Sequence, residues 1–222
     1  MPGKGNQNGR SLAKLQRMAQ DGDIDLVLHV GDIAYNLDTD DGNVGDEFLR
    51  QIEPIAAYVP YMTAVGNHES ASNFSHYINR FTMPDSEHNL FYSFDLGSAH
   101  FVFFSTEFYF YTEYGWKQIQ NQWNWLIDDL MPFLIKDAKM SSYLKKANKN
   151  RATVPWILTF GHRPMYCSDF DGDDCTKYES IVYNGTVSPY FNPLAPVHIV
   201  SGSAKASQSN VYPIIVLSSE AL

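Results

Sequence analysis

Basic residues are scarce in this chain: 16 Lys and Arg stand against 25 Asp and Glu, for a formal charge of −9. Nucleic acids and anionic membrane surfaces both recruit clustered Lys and Arg, so this composition favours neither as a partner. No apolar run approaches the length of a membrane span, and residues 1–10 are too polar for a signal peptide. Cysteine occurs only twice, at Cys167 and Cys175. There is no repeat, low-complexity tract or internal linker to divide the chain. What remains is 222 residues with 44% hydrophobic and 14% aromatic content, enough for one domain over 1–222 with a core of its own.

Hydrophobic spacing outlines the elements. Ser11 to Asp21 reads as a helix capped by Ser11, with Leu12, Leu15 and Met18 on one face. Gly45 to Tyr58 repeats the pattern through Phe48, Leu49, Ile52 and Ile55. Each helix leads into an apolar run, Leu26 to Val30 and Tyr58 to Val65, and this alternation predicts an α/β sheet. Leu90 to Leu96 and Ala99 to Ser105 read as an antiparallel hairpin turning at Gly97-Ser98. Ile119 to Leu130 reads as a helix that places Trp123, Trp125 and Leu126 in the core.

Three strand ends carry chemistry. The first run closes on Gly31-Asp32-Ile33-Ala34-Tyr35, the second on Gly66-Asn67-His68-Glu69, and Trp156 to Phe160 runs into Gly161-His162-Arg163-Pro164. In open α/β sheets ligands bind where loops leave the carboxyl ends of strands, so these loops can face one crevice. A carboxylate such as Asp32 can bridge two cations, and a phenolate such as Tyr35 suits Fe(III). Asn67 offers an amide oxygen, and His162 offers an imidazole nitrogen suited to Zn, Mn or Fe. The glycines let the backbone come close to the metals.

These blocks resemble the second, third and fourth motifs of the animal purple acid phosphatases, a branch of the calcineurin-like metallophosphoesterases. The resemblance extends through Met165-Tyr166-Cys167-Ser168, Tyr92 to Gly97 and Phe103 to Glu107, and covers most of the chain from about Asn8 to Ala204. Two of the family's blocks are missing. The first, Gly-Asp-x-Gly, should precede Asn8, where Gly3 and Lys4 stand instead. The fifth, Gly-His-x-His, should lie between Ser180 and Tyr183, which are joined by Ile181 and Val182 alone. Residues 131–144 read as an insertion and residues 205–222 as a divergent tail, so the chain is expected to be an incomplete or alternatively spliced version of a longer protein.

The resemblance implies a sandwich of two mixed β-sheets flanked by helices, here lacking part of the C-terminal sheet. It implies hydrolysis of phosphate monoesters at a centre of Fe(III) and a divalent ion, Zn, Fe or Mn. Asp32 would bridge the two ions and Tyr35 would bind iron. Asn67 and His162 would bind the divalent ion, and His68 would assist the leaving group. Each metal site is short of ligands relative to the family, so impaired metal binding is expected, and a catalytically inactive scaffold is the alternative. Cys167 and Cys175 could be free thiols or a pair closing a short loop, worth roughly 2 to 3 kcal/mol in the chain-entropy model. The secreted fold implied by the family points to the disulfide. Asn73-Phe74-Ser75 and Asn184-Gly185-Thr186 are glycosylation sequons of the kind a secreted or lysosomal protein carries.

The other histidines have no motif around them. His29 and His100 lie in apolar runs and read as core residues, as does His198, while His76 and His88 lie in polar loops. The acidic stretches Asp38 to Asp41 and Asp171 to Asp174 lack EF-hand spacing and read as solvated loops.

Overall fold

The computed structural model describes residues 8–86, 88–130, 154–163 and 214–217. The insertion at 131–144, Cys167, Cys175, Asn184, His198 and most of the tail lie outside the described residues.

Helix α1 runs Asn8–Asp21, three residues earlier than the spacing predicts, so Ser11 lies inside it rather than at its cap. Its amphipathic face holds as read: Leu15 and Ala19 are buried, with Leu12 and Met18 packed beside them. Gly22 ends the helix at φ +78, and Asp23 N–H bonds back to Met18 O at 2.8 Å, as a left-handed cap requires. Strand β1, Leu26–Val30, is buried along its whole length. Helix α2, Asn43–Ala56, buries Ile52 and Ile55. Strand β2, Tyr61–Ala64, follows and pairs parallel to β1, Val27 opposite Tyr61. A 3₁₀ turn at Asn67–Glu69 then leads into α3, Ala71–Ile78.

The second sheet begins with the expected hairpin, β3 (Tyr92–Leu96) and β4 (Ala99–Phe103). Two 3₁₀ turns, Glu107–Tyr109 and Thr112–Tyr114, precede α4 (Lys117–Leu130). Strand β5 (Trp156–Phe160) pairs parallel to β4, and β6 (Ile214–Leu217) pairs antiparallel to β1. The orders are β2-β1-β6 and β3-β4-β5, each a mixed sheet, as the sandwich expectation requires.

Aromatic pairs fix the register of the second sheet. Tyr92 stacks on Phe103 at 4.7 Å and Phe103 on Phe160 at 4.8 Å, so the three strands share one ladder. A one-residue slip would turn every ring to the other face. Residues from both sheets share one hydrophobic core, and the Tyr92 hydroxyl donates to the Thr63 carbonyl of β2 at 2.8 Å. The end of β5, and with it His162, is thereby held against the ends of β1 and β2.

Helix α4 corrects one expectation. Trp123 is 53% exposed rather than in the core, while Trp125 is half-buried against Phe91 at 5.1 Å. The buried positions of α4 are polar, Gln122 and Asp129. Trp123 lies one residue beyond Gln122, about 100° around a helix of 3.6 residues per turn, and so faces outward. Gln122 pins the chain after β4 by accepting Ser105 N–H at 2.7 Å and donating to Ser105 O at 2.9 Å. His29 is fully buried as expected, and His100 is buried in a carboxylate pair. Among the described residues no helix is long and apolar enough to cross a membrane.

Candidate metal centre

Parallel pairing puts the carboxyl ends of β1 and β2 side by side, and the loops that leave them carry Asp32 and Asn67. His162 Nε2 lies 3.3 Å from Asp32 Oδ1 and 3.2 Å from Asn67 Oδ1. Three of the sequence-predicted ligands from three strand ends therefore converge. Two glycines make this approach possible. A Cβ on Gly31, at φ +83, would stand 2.3 Å from His162 Nδ1, and one on Gly66 would stand 2.5 Å from Asp32 Oδ1.

The tautomer of His162 follows from its other nitrogen. Nδ1 lies 3.1 Å from the Val30 carbonyl, which can only accept, so Nδ1 carries the proton. In the neutral ring Nε2 then presents a lone pair toward a carboxylate oxygen and an amide oxygen. Three lone-pair donors facing one another are repulsive unless a proton or a cation sits among them. A carboxylate, an amide and an imidazole held by a backbone carbonyl are the donor set of a divalent ion such as Zn, Mn or Fe, so these residues fit one. Among the described residues no group of three or more His, Cys, Asp or Glu side chains draws together, so the amide of Asn67 is essential to the cluster.

The loop after β1 is strained. Asp32, Ala34, Tyr35 and Asn36 all have positive φ, between 45° and 83°, where side-chain-bearing residues are disfavoured. This backbone turns Tyr35 against the ring of His68, with centroids 4.3 Å apart. His68 Nδ1 donates to Asn36 Oδ1 at 2.8 Å, and the His68 N–H reaches Asp32 Oδ1 at 3.3 Å. The side-chain partner of His68 is thus an amide on the neighbouring loop rather than a backbone group of its own turn.

Several residues around the site were not assigned roles from sequence. Glu69 is buried and accepts N–H groups from Asp32, Ile33 and Gly66. Burial pushes its carboxyl up to about 8, with the nearby Asp32 charge adding, against the three N–H groups that hold it down. Its signal was its place three residues after Gly66, where an acid reaches back to the start of its turn. Arg163 bonds Glu107 and packs over Phe110, tying the His162 loop to the turn at Glu107–Tyr109. Tyr114 Oη donates to Ser70 O at 2.9 Å and braces the chain just after Asn67–Glu69. Behind the site, burial pushes the His29 imidazole down to about 3, with His162 adding to the effect, so His29 is neutral and bonds Tyr61 Oη at 2.9 Å.

Two mixed sheets with Asp32, Asn67 and His162 on the loops at their strand ends have the architecture of a metallophosphoesterase. The chain belongs to the calcineurin-like phosphoesterase family, whose model matches residues 5–202. It is similar to acid phosphatase type 7 of Mus musculus and of Homo sapiens, 44% identical to each over 90% of this chain and 52% of the relative. It is also similar to purple acid phosphatase 22 of Arabidopsis thaliana, 28% identical over 81% of this chain and 44% of that protein. A solved purple acid phosphatase from yellow lupin seeds aligns at 27% identity, over 71% of this chain and 27% of the other, with a TM-score of 0.47. The chain spans about half the length of the curated relatives it matches. The resemblance to animal purple acid phosphatases read from the motifs is borne out.

Proposed function

We propose that this chain carries the site of an acid phosphatase that hydrolyses phosphate monoesters, with Fe(III) and a divalent ion as cofactors. One observation carries the reading: His162 commits Nδ1 to the Val30 carbonyl and turns Nε2 toward Asp32 and Asn67. Asp32, Asn67 and His162 would hold the divalent ion, and Asp32 with Tyr35 the iron. When bound, such ions supply Lewis acidity, acidifying water and offsetting charge on phosphoryl oxygens. That positive charge also reverses the local sign of an acidic protein for an anionic substrate.

The chain's own residues do the rest. Asp32 is nearly buried, and the N–H of His68 bonds its Oδ1, which restricts the carboxylate to one orientation. With Nδ1–H donated to Asn36, the His68 ring has Nε2 directed elsewhere, and in its imidazolium form that nitrogen carries the proton for the departing alkoxide. Tyr35, lying against that ring, limits where it can turn. By its relatives' names the working pH is acidic, and we place the protein outside the cell or in lysosomes, glycosylated at Asn73 and Asn184, with the Cys167–Cys175 disulfide formed. Asn73 is exposed, as that modification requires.

The test is to purify the chain with iron and zinc, measure bound metal, and assay p-nitrophenyl phosphate at acidic pH beside Asp32→Asn and His162→Ala. Turnover that both variants abolish together with metal uptake supports the enzyme. Metal uptake without turnover supports the second reading, an inactive scaffold, which the small number of ligand side chains around Asp32 and Tyr35 among the described residues favours.

A further inference from the structure

The reaction outlined above leaves Glu69 without a role, yet its side chain has unusual surroundings. It is 2% exposed. Oε2 accepts Asp32 N–H at 2.8 Å and Gly66 N–H at 2.8 Å, and Oε1 accepts Ile33 N–H at 2.6 Å. Among the described residues no Lys, Arg or His pairs with it; three peptide N–H groups supply its hydrogen bonds, and the Asp32 charge lies nearby. Two of those dipoles belong to the loop after β1 and the third to the loop after β2. The Glu69 carboxyl group is therefore a staple between the loops that carry Asp32 and Asn67. The bond from His68 N–H to Asp32 Oδ1 at 3.3 Å runs the opposite way across the same gap.

We propose that Glu69 is a positioning residue: by joining the two loops it sets the spacing of Asp32 and Asn67, and so the affinity of the centre for a divalent ion, without being a ligand. This rests on the reading of Asp32, Asn67 and His162 as the metal-holding set. A carboxyl group is required because three donors converge on two oxygens. Glutamine has one oxygen, and its NH₂ would face at least one N–H, leaving buried donors unpaired. Aspartate keeps both oxygens but is one methylene short of the second loop.

The experiment measures Zn²⁺ affinity by calorimetry on the full chain, with Glu69→Gln, Glu69→Asp and the core variant Ile52→Val as a control for general destabilisation. Loss of supporting hydrogen bonds around ligands typically costs 10–100-fold in metal affinity, and that loss is expected for both Glu69 variants. Ile52→Val should melt earlier yet bind Zn²⁺ as tightly as the parent. Because Glu69→Gln could fail to fold, hydrogen exchange is also followed in the metal-free parent. The amides of Asp32, Ile33 and Gly66 should exchange only on global unfolding. Exchange at the rate of open loops, or a folded Glu69→Gln that binds Zn²⁺ normally, overturns the positioning role alone. A parent chain that takes up no Zn²⁺ overturns the metal reading and the positioning role with it, even where the three amides are slow.

Discussion

Arg163 Nε lies 3.0 and 2.9 Å from the two carboxylate oxygens of Glu107. The contact matters because Arg163 follows His162, and its own N–H donates to Thr106 Oγ1 at 3.0 Å. Glu107 is 0% exposed, whereas the Arg163 side chain is 28% exposed. The two halves of the pair are therefore unequal. Arg163→Ala strands a buried carboxylate and should cost about 3–5 kcal/mol. Glu107→Gln keeps an acceptor oxygen and leaves Arg163 access to water, so about 1.5–3 kcal/mol is expected. Urea denaturation at constant m-value gives both, and a larger loss for Glu107→Gln would contradict this ordering.

Glycine replacements should separate the site from the scaffold. A Cβ on Gly66 would stand 2.5 Å from both the N and the Oδ1 of Asp32, and the N–H groups of Asp32 and Gly66 are each fixed to Glu69 at 2.8 Å. Gly66→Ala is therefore expected to lower Zn²⁺ affinity at least tenfold, on the scale of other disturbances around metal ligands. Gly22, at φ +78, has open space around it. Gly22→Ala should cost only the left-handed backbone strain, about 1–2 kcal/mol, with Zn²⁺ binding unchanged. Calorimetry beside thermal melts distinguishes the two.

The elements that bury apolar faces were legible, because alternation and helical spacing are direct records of burial. Strands β1 and β5 coincide with their apolar runs, and the hairpin turns at Gly97-Ser98 as expected. The convergence of Asp32, Asn67 and His162 was legible too, since each follows a glycine at a strand end. Polar packing was not. Gln122 and Asp129 dock α4 by hydrogen bonds, which leave no hydrophobic period, so the apolar pattern pointed wrongly to Trp123. Glu69 and Glu107 stood inside quoted motifs but gained meaning only from partners far away in sequence or on the backbone. Left-handed φ at Ala34 and Tyr35 has no sequence signal either, because neither residue favours it.

Iron should be the weak point of the site. Asp32 and Tyr35 would supply only part of an iron coordination shell, while the proposed divalent site has Asp32, Asn67 and His162 in contact. With both metals supplied, the chain should retain zinc and hold iron well below one equivalent. The visible colour of the family arises from charge transfer between the tyrosine ligand and Fe(III), so no such band is expected here. Elemental analysis with a visible spectrum tests this. Near-stoichiometric iron with a band that Tyr35→Phe removes would show that the iron site is complete.

The last expectation concerns pH and a histidine away from the metal centre. His100 Nδ1 lies 2.5 Å from Asp95 Oδ1, and Nε2 lies 3.0 Å from Asp129 Oδ2, whose other oxygen accepts the Ser93 hydroxyl at 2.9 Å. Both ring nitrogens face carboxylates, so both can donate only in the imidazolium. Burial opposes that charge, but the bonds to Asp129 and Asp95 outweigh it and raise the His100 pKa. A group whose folded pKa is raised lends its full stability below its unfolded value, about 6.5 for histidine, and loses it as pH rises through the folded value. Since Asp129 belongs to α4 and Asp95 to β3, this charge fastens the helix to the hairpin most firmly in acid, where an acid phosphatase would work. His29, lowered to about 3, and Glu69, raised to about 8, also make stability depend on pH. Neither is altered by His100→Gln, so the difference between parent and variant isolates His100. Urea denaturation across a pH series should show that difference largest at acidic pH and shrinking above the ordinary histidine range. A difference that grows with rising pH would mean that His100 is neutral in the fold and that the two aspartates do not hold its proton.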